Sequence, residues 1–186
     1  MSSNQQKLES LASEIAACEE CKENTVGKLV FGEGNPNAKI MFVGEAPGKQ
    51  EAETGRPFIG RSGKLLREMI RSIGLEEKEV YITSPVKYLP KSGTPTKKQI
   101  NHAQHYFQRQ ILIIDPEIIV LMGKTAVTAV LSKDIPILKA HGTVFDIDNR
   151  KIIITLHPAA VLRFPHKYKA MVIKDFKKIS SLLSTP

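Results

Sequence analysis

Three stretches of this chain carry residue types that can do chemistry. Gly44–Gly63 (GEAPGKQEAETGRPFIGRSG) sets five glycines and two prolines around carboxylates that include Glu45 and Glu51, and one aromatic ring, Phe58. Glycines let backbone amides approach a ligand closely, and amides aimed at one point hold an anion. Without a ligand the same segment reads as a long surface loop with solvated acids. Leu156–Lys169 (LHPAAVLRFPHKYK) puts His157 directly behind an apolar run, where an imidazole can donate to a developing anion or serve structure alone. Leu162 and Arg163 make an apolar wedge with a cationic flank, the combination that enters a base stack. Cys18 and Cys21, the two cysteines of the chain, are too few for a disulfide scaffold and are spaced like half a metal site.

Elements that could position these groups follow from periodicity. Residues 5–20 carry Leu8, Leu11, Ile15 and Ala16 at helical spacing. Ala38–Gly44 is a short apolar run ending in glycine, a buried-strand pattern, and Gly44–Gly63 then holds too many glycines and prolines for regular structure. Ser62–Ile73 resumes helical period, Val80–Thr83 is a second strand, and Ser84–Thr96 is a loop. A helix is expected over Lys97–Ile114, stopped by Asp115-Pro116, then a strand over Ile118–Met122 and a short helix over Lys124–Leu131. Thr143–Ile147 and Lys151–Thr155 read as strands paired through Asp148-Asn149-Arg150, the second free to join the main sheet as well. The loop His157–Pro165 leads into a helix over Lys169–Leu183. Strands alternating with helices argue for an α/β sandwich on a mostly parallel sheet, whose ligands gather at the carboxyl ends of the strands. Gly44–Gly63, Ser84–Lys91 and His157–Pro165 are the loops expected there.

The chain has 186 residues, a length that suits a single domain over 1–186. Apolar residues at 41% and charged residues at 25% exclude wholesale disorder and collagen-like structure. Lysine and arginine total 27 against 19 acids, and the resulting +8 suits a polyanionic partner such as nucleic acid. The stretch Met1–Glu9 is polar, and no apolar run approaches a membrane span, so a soluble cytoplasmic protein without a membrane partner is expected.

GEAPG followed by Glu51 and GRPFIGRSG strongly resembles the first motif of family 4 uracil-DNA glycosylases, and HPAAVLRFP resembles their second. YITSPVKY (Tyr81–Tyr88) stands where that family has YITNVVKC, and Arg109–Ala126 follows its helix-strand-glycine pattern. The resemblance implies a three-layer α/β/α sandwich around a central, mostly parallel four-stranded sheet. It implies a base-excision glycosylase that flips deoxyuridine out of single- or double-stranded DNA and hydrolyses its N-glycosidic bond. The backbone of Gly44, Glu45 and Ala46 would form the uracil pocket, Phe58 would stack on the base, and Glu51 would lie near it. His157 would bond the carbonyl beside the glycosidic bond, with Glu45 favouring the cationic sugar or positioning water. Leu162 and Arg163 would fill the space of the extruded nucleotide, and Arg61 and Lys87 would add DNA contacts. Ala46 stands near the place of the catalytic aspartate of other uracil glycosylase families, so slower chemistry is expected. A monomer is expected.

Two departures bear on substrate and cofactor. Ser84 replaces the asparagine that pairs with the uracil edge, and a hydroxyl offers one donor where a carboxamide offers donor and acceptor side by side. Ser84 therefore keeps two alternatives open: a glycosylase for another deaminated base such as hypoxanthine, and a non-catalytic DNA- or uracil-binding homologue. The family also holds a four-iron four-sulfur cluster on four cysteines, and here Tyr88 and Ala103 stand at the third and fourth positions. Two thiolates cannot hold that cluster within one chain, so no cofactor is expected. Cys18 and Cys21 are then vestigial free thiols; the alternative is a substitute zinc site that His102 or His105, beside the fourth position, would help complete.

Overall fold

A computed structural model describes residues 3–183; Met1 and Ser2, at the head of the polar N-terminal stretch, and residues 184–186 lie outside it. Among the described residues the strands are β1 (Thr25–Val26), β2 (Glu33–Gly34), β3 (Ile40–Val43), β4 (Val80–Thr83), β5 (Leu89–Pro90), β6 (Ile118–Met122), β7 (Val144–Ile147) and β8 (Arg150–Thr155). The helices are α1 (Ser3–Ala17), α2 (Glu19–Lys22), α3 (Lys49–Thr54), α4 (Arg61–Ser72), α5 (Lys97–Ile114), α6 (Lys124–Leu131), α7 (Ile137–Ala140), α8 (Pro158–Arg163) and α9 (Pro165–Leu183), with a 3-10 turn at Glu77–Glu79.

One sheet has the order β2-β4-β3-β6-β8-β7. Its four inner strands are parallel and are the four that the apolar runs predict. Antiparallel edge strands β2 and β7 widen it from the expected four strands to six. Successive side chains of a strand face opposite ways, and the core divides accordingly. Met41, Val43, Ile119, Leu121, Ile152 and Ile154 pack with Leu8 of α1, Phe107 of α5 and Val127 of α6. Ile40, Phe42, Val120 and Ile153 pack on the other side with Leu66 of α4, Val161 of α8 and Phe176 of α9. Apolar side chains on both strand faces require a helical layer on each, giving three layers.

The chain leaves β3 for β4 on one side, and β6 pairs with β3 on the other. That reversal of direction opens a crevice at the carboxyl ends of the parallel strands. Two expected loops contain helices: α3 lies within Gly44–Gly63 and α8 within His157–Pro165. Within the expected loop Ser84–Thr96, β5 pairs with β1 as a separate two-stranded sheet whose Val26, Leu89 and Pro90 line the crevice.

Candidate active site

Gly44 follows β3 and its amide donates to the Thr83 carbonyl at 2.8 Å, so this amide is not a ligand donor, contrary to expectation. Its missing side chain is what matters: a Cβ there would lie 2.4 Å from the Phe58 ring. Phe58 takes a left-handed conformation (φ 51°), uncommon outside glycine. Its surroundings impose that conformation. One Glu51 oxygen accepts from the amides of Ile59 and Gly60, both at 2.9 Å. Arg67 donates to the carbonyls of Pro57 and Phe58 and is itself bridged to Glu33 and Glu77. Gly63 closes the turn, since a Cβ there would stand 1.7 Å from the Phe58 carbonyl oxygen. Glu51 thus lines the same cleft as Phe58, with its carboxylate committed to holding the Phe58 turn.

The Phe58 ring is 5.9 Å, centroid to centroid, from the imidazole of His157, which caps α8 behind β8. His157 Nδ1 accepts from the Ala159 amide at 3.2 Å, so the neutral ring carries its proton on Nε2. Burial pushes the His157 pKa down to about 4, so the ring is neutral near pH 7. Behind β6, Thr125 on α6 donates to Glu45 Oε2 at 3.0 Å and fixes that carboxylate. Glu45, Ala46, Glu51, Phe58, Ser84 and His157 line one cleft of about 730 Å³. Ser84 spends its hydroxyl hydrogen on the Val86 carbonyl at 3.0 Å, leaving acceptor capacity for a ligand.

A shallower groove of about 500 Å³ shares Glu51, Ser62 and Ala159 with the cleft and brings Arg61, Leu162 and Arg163 together with Lys49. Leu162, Arg163 and the neighbouring Phe164 are exposed. Lys87 is not with them. It is buried, and its ammonium meets the carbonyls of Phe31 and Ser84, Thr83 Oγ1 and Gln110 Oε1 at 2.6–2.9 Å, between the rings of Phe31 and Phe107. Burial lowers its pKa well below the lysine range. A phosphate cannot reach it, and the expected DNA contact is withdrawn; Lys87 ties the loop after β4 to α5. Thr125, Arg67 and Glu33 were not singled out by sequence, because nothing in their spacing marks which loop they hold.

Cys18 and Cys21 meet His102 of α5, whose Nε2 lies 3.2 and 3.4 Å from the two sulfurs. Burial pushes the Cys18 thiol up, but hydrogen bonds from Cys21, His102 and Tyr106 outweigh it and bring the pKa to about 7. Burial pushes Cys21 up to about 12. His105 is not part of this group: its Nδ1 pairs with the His102 carbonyl and its ring lies on Tyr106. The donors do not fit a four-iron cluster, because Tyr88 is buried against Leu11, Ile15 and Cys21, and Ala103 is buried with no ligating atom.

The family model described as the Uracil DNA glycosylase superfamily matches residues 31–180. A type-4 uracil-DNA glycosylase of Sulfurisphaera tokodaii is 41% identical over 190 residues, covering 96% of this chain and 86% of the relative. One from Thermotoga maritima is 35% identical and covers 98% of both chains. A type-5 uracil-DNA glycosylase of Pyrobaculum aerophilum is 29% identical, over 72% of this chain and 66% of its own. The glycine-supported aromatic, the capped histidine and the threonine-held glutamate thus occur on a sequence similar from end to end to type-4 proteins: the chain belongs to the uracil-DNA glycosylase superfamily, in its type-4 branch.

Proposed function

We propose that this protein excises uracil from DNA by hydrolysing the N-glycosidic bond of deoxyuridine, the opening step of base-excision repair. The observation that carries the reading is the convergence of Glu45, Phe58 and His157 in one cleft beside a basic, apolar-tipped groove. An intact stack hides the bond, so the nucleotide is extruded, with Leu162 and Arg163 taking its space. Phe58 stacks on the flipped base. As the bond to C1′ breaks, its electron pair moves into the uracil ring, and the His157 Nε2–H stabilises the carbonyl oxygen where negative charge gathers. Glu45 faces the sugar as it turns cationic and orients the water that adds to C1′; that water's proton leaves and the uracil anion is protonated. Ser84 accepts from the protonated ring nitrogen of uracil, which cytosine lacks. The protein works as a monomer inside the cell, on single- and double-stranded DNA.

Hypoxanthine shares that protonated edge, which makes it the second substrate to examine. Oligonucleotides carrying one uracil, hypoxanthine, thymine or cytosine are incubated with the protein, and freed bases are identified by mass spectrometry. Uracil release, faster from single strands and U·G pairs than from U·A, supports the proposal, because a mismatch lowers the cost of extrusion. Release of hypoxanthine alone shifts the assignment to the second substrate; no release at micromolar protein overturns both.

A further inference from the structure

Two thiols and an imidazole converge in a part of the molecule that the glycosylase reading does not use. We propose that Cys18, Cys21 and His102 bind a single zinc ion, with solvent in the fourth position, and that the ion staples the N-terminal segment to α5. The proposal stands independently of the glycosylase reading.

The ligand atoms lie within 4.8 Å of one another. Zinc bonds of about 2.3 Å to sulfur and about 2.0–2.1 Å to nitrogen, at tetrahedral angles, set S···N edges of about 3.5 Å. The observed edges are 3.2 and 3.4 Å. The second observation is the partner of the imidazole: His102 Nδ1 lies 3.2 Å from a Glu20 carboxylate oxygen. A carboxylate on one ring nitrogen, with the other turned to the metal, is the arrangement that fixes the tautomer of a ligating histidine. Glu20 lies between the two cysteines in sequence, so the short helix α2 and its N-cap residue Cys18 supply both sulfurs and the carboxylate that aims His102. Zinc accepts a mixed sulfur and nitrogen set, whereas a four-iron cluster is held by four cysteine thiolates, of which this chain has two. On binding, the ion displaces the two thiol protons, which leave to solvent, and the imidazole binds neutral.

The position gives the ion its effect. α2 runs through Asn24 into β1, β1 pairs with β5, and Val26, Leu89 and Pro90 from these strands line the cleft of the candidate active site. Glu23 bonds Lys98 and Gln99 on the first turn of α5, so the staple and these contacts hold the same wall.

The test uses the full chain, purified under reducing conditions, stripped with a chelator and titrated with zinc against a chromophoric competitor, with cobalt(II) as a spectroscopic probe. One zinc per chain, thiolate-to-cobalt charge transfer and a rise in Tm with zinc are expected. His102→Ala and Cys18→Ser should abolish stoichiometric uptake, with circular dichroism checking that each folds. Glu20→Gln should weaken binding about 10–100-fold, and His105→Ala should leave it unchanged. Zinc retained by His102→Ala, or lost by His105→Ala, overturns the assignment. So does stoichiometric iron with sulfide, and so does a reduced protein that takes up no zinc and reoxidises to a Cys18–Cys21 disulfide.

Discussion

His157 keeps its proton on Nε2 because the Ala159 amide occupies Nδ1, and burial resists a second proton down to about pH 4. In the proposed mechanism it acts as a neutral donor, and the pH profile of uracil release should show no fall near 6.5. Burial of the imidazole also makes stability depend on pH. Between about 4 and 6.5 the unfolded chain binds a proton that the folded chain refuses, so stability falls as pH drops through that window. Thermal melts across it should fall less steeply for His157→Gln than for the parent; an equal slope in the two proteins contradicts the burial argument. Lys87 illustrates the opposite lesson at this scale. A lysine after a strand reads as a DNA contact, yet its charge is enclosed by four acceptors. Lys87→Met should destabilise by at least about 2 kcal/mol, since each buried polar group left unpaired costs about 1–3 kcal/mol. The salt dependence of DNA binding should not change in Lys87→Met, whereas Arg163→Ala should reduce its slope by about 1. A reduced slope for Lys87→Met in denaturation-checked protein would contradict its burial.

The turn carrying Phe58 and the helix carrying Leu162 are the elements on which the site depends. Glu51→Ala leaves the Ile59 and Gly60 amides without their acceptor and frees the Phe58 turn. Uracil excision should fall at least tenfold while DNA affinity holds, and Glu51→Gln should recover part of the loss; equal rates in parent and Glu51→Ala would remove the turn from the account. Leu162→Ala should slow excision from U·G duplex more than from single strands, because the wedge acts only where a stack is held open, at a few kcal/mol per step. Equal losses on both substrates would make Leu162 a packing residue of α8. Much of this framework was legible in the sequence. Helix α5 has the expected bounds, because Thr96 and Gln99 form a capping box and Asp115-Pro116 ends the periodic run. The inner strands are apolar on both faces and announce themselves. Helices α3 and α8 were hidden by their six-residue length and by flanking glycine and proline. Strands β1, β2 and β5 have two residues each, too few for any period. The glycine motif marked the cleft, but that Gly44 serves the Phe58 ring rather than an anion follows only from the distance between them.

At the scale of the molecule, the carboxyl ends of the parallel strands deliver Glu45, Ser84 and His157 to one crevice, with Thr125 behind β6 holding Glu45, and the helices starting there bring Leu162 and the basic groove. The net charge of +8 favours sequence-independent attraction to phosphate, and in the proposed mechanism the crevice supplies the selection of base. Among the described residues no helix is long and apolar enough to cross a membrane. In the proposed mechanism this crevice breaks the glycosidic bond through a neutral histidine. Single-turnover uracil release from a U·G oligonucleotide, compared between the parent and His157→Ala at neutral pH, tests it most directly. Losing one donor to a developing anion costs about 10²–10³ in rate, so the account predicts a fall of at least about a hundredfold with folding and DNA affinity retained; release at the parental rate would contradict it.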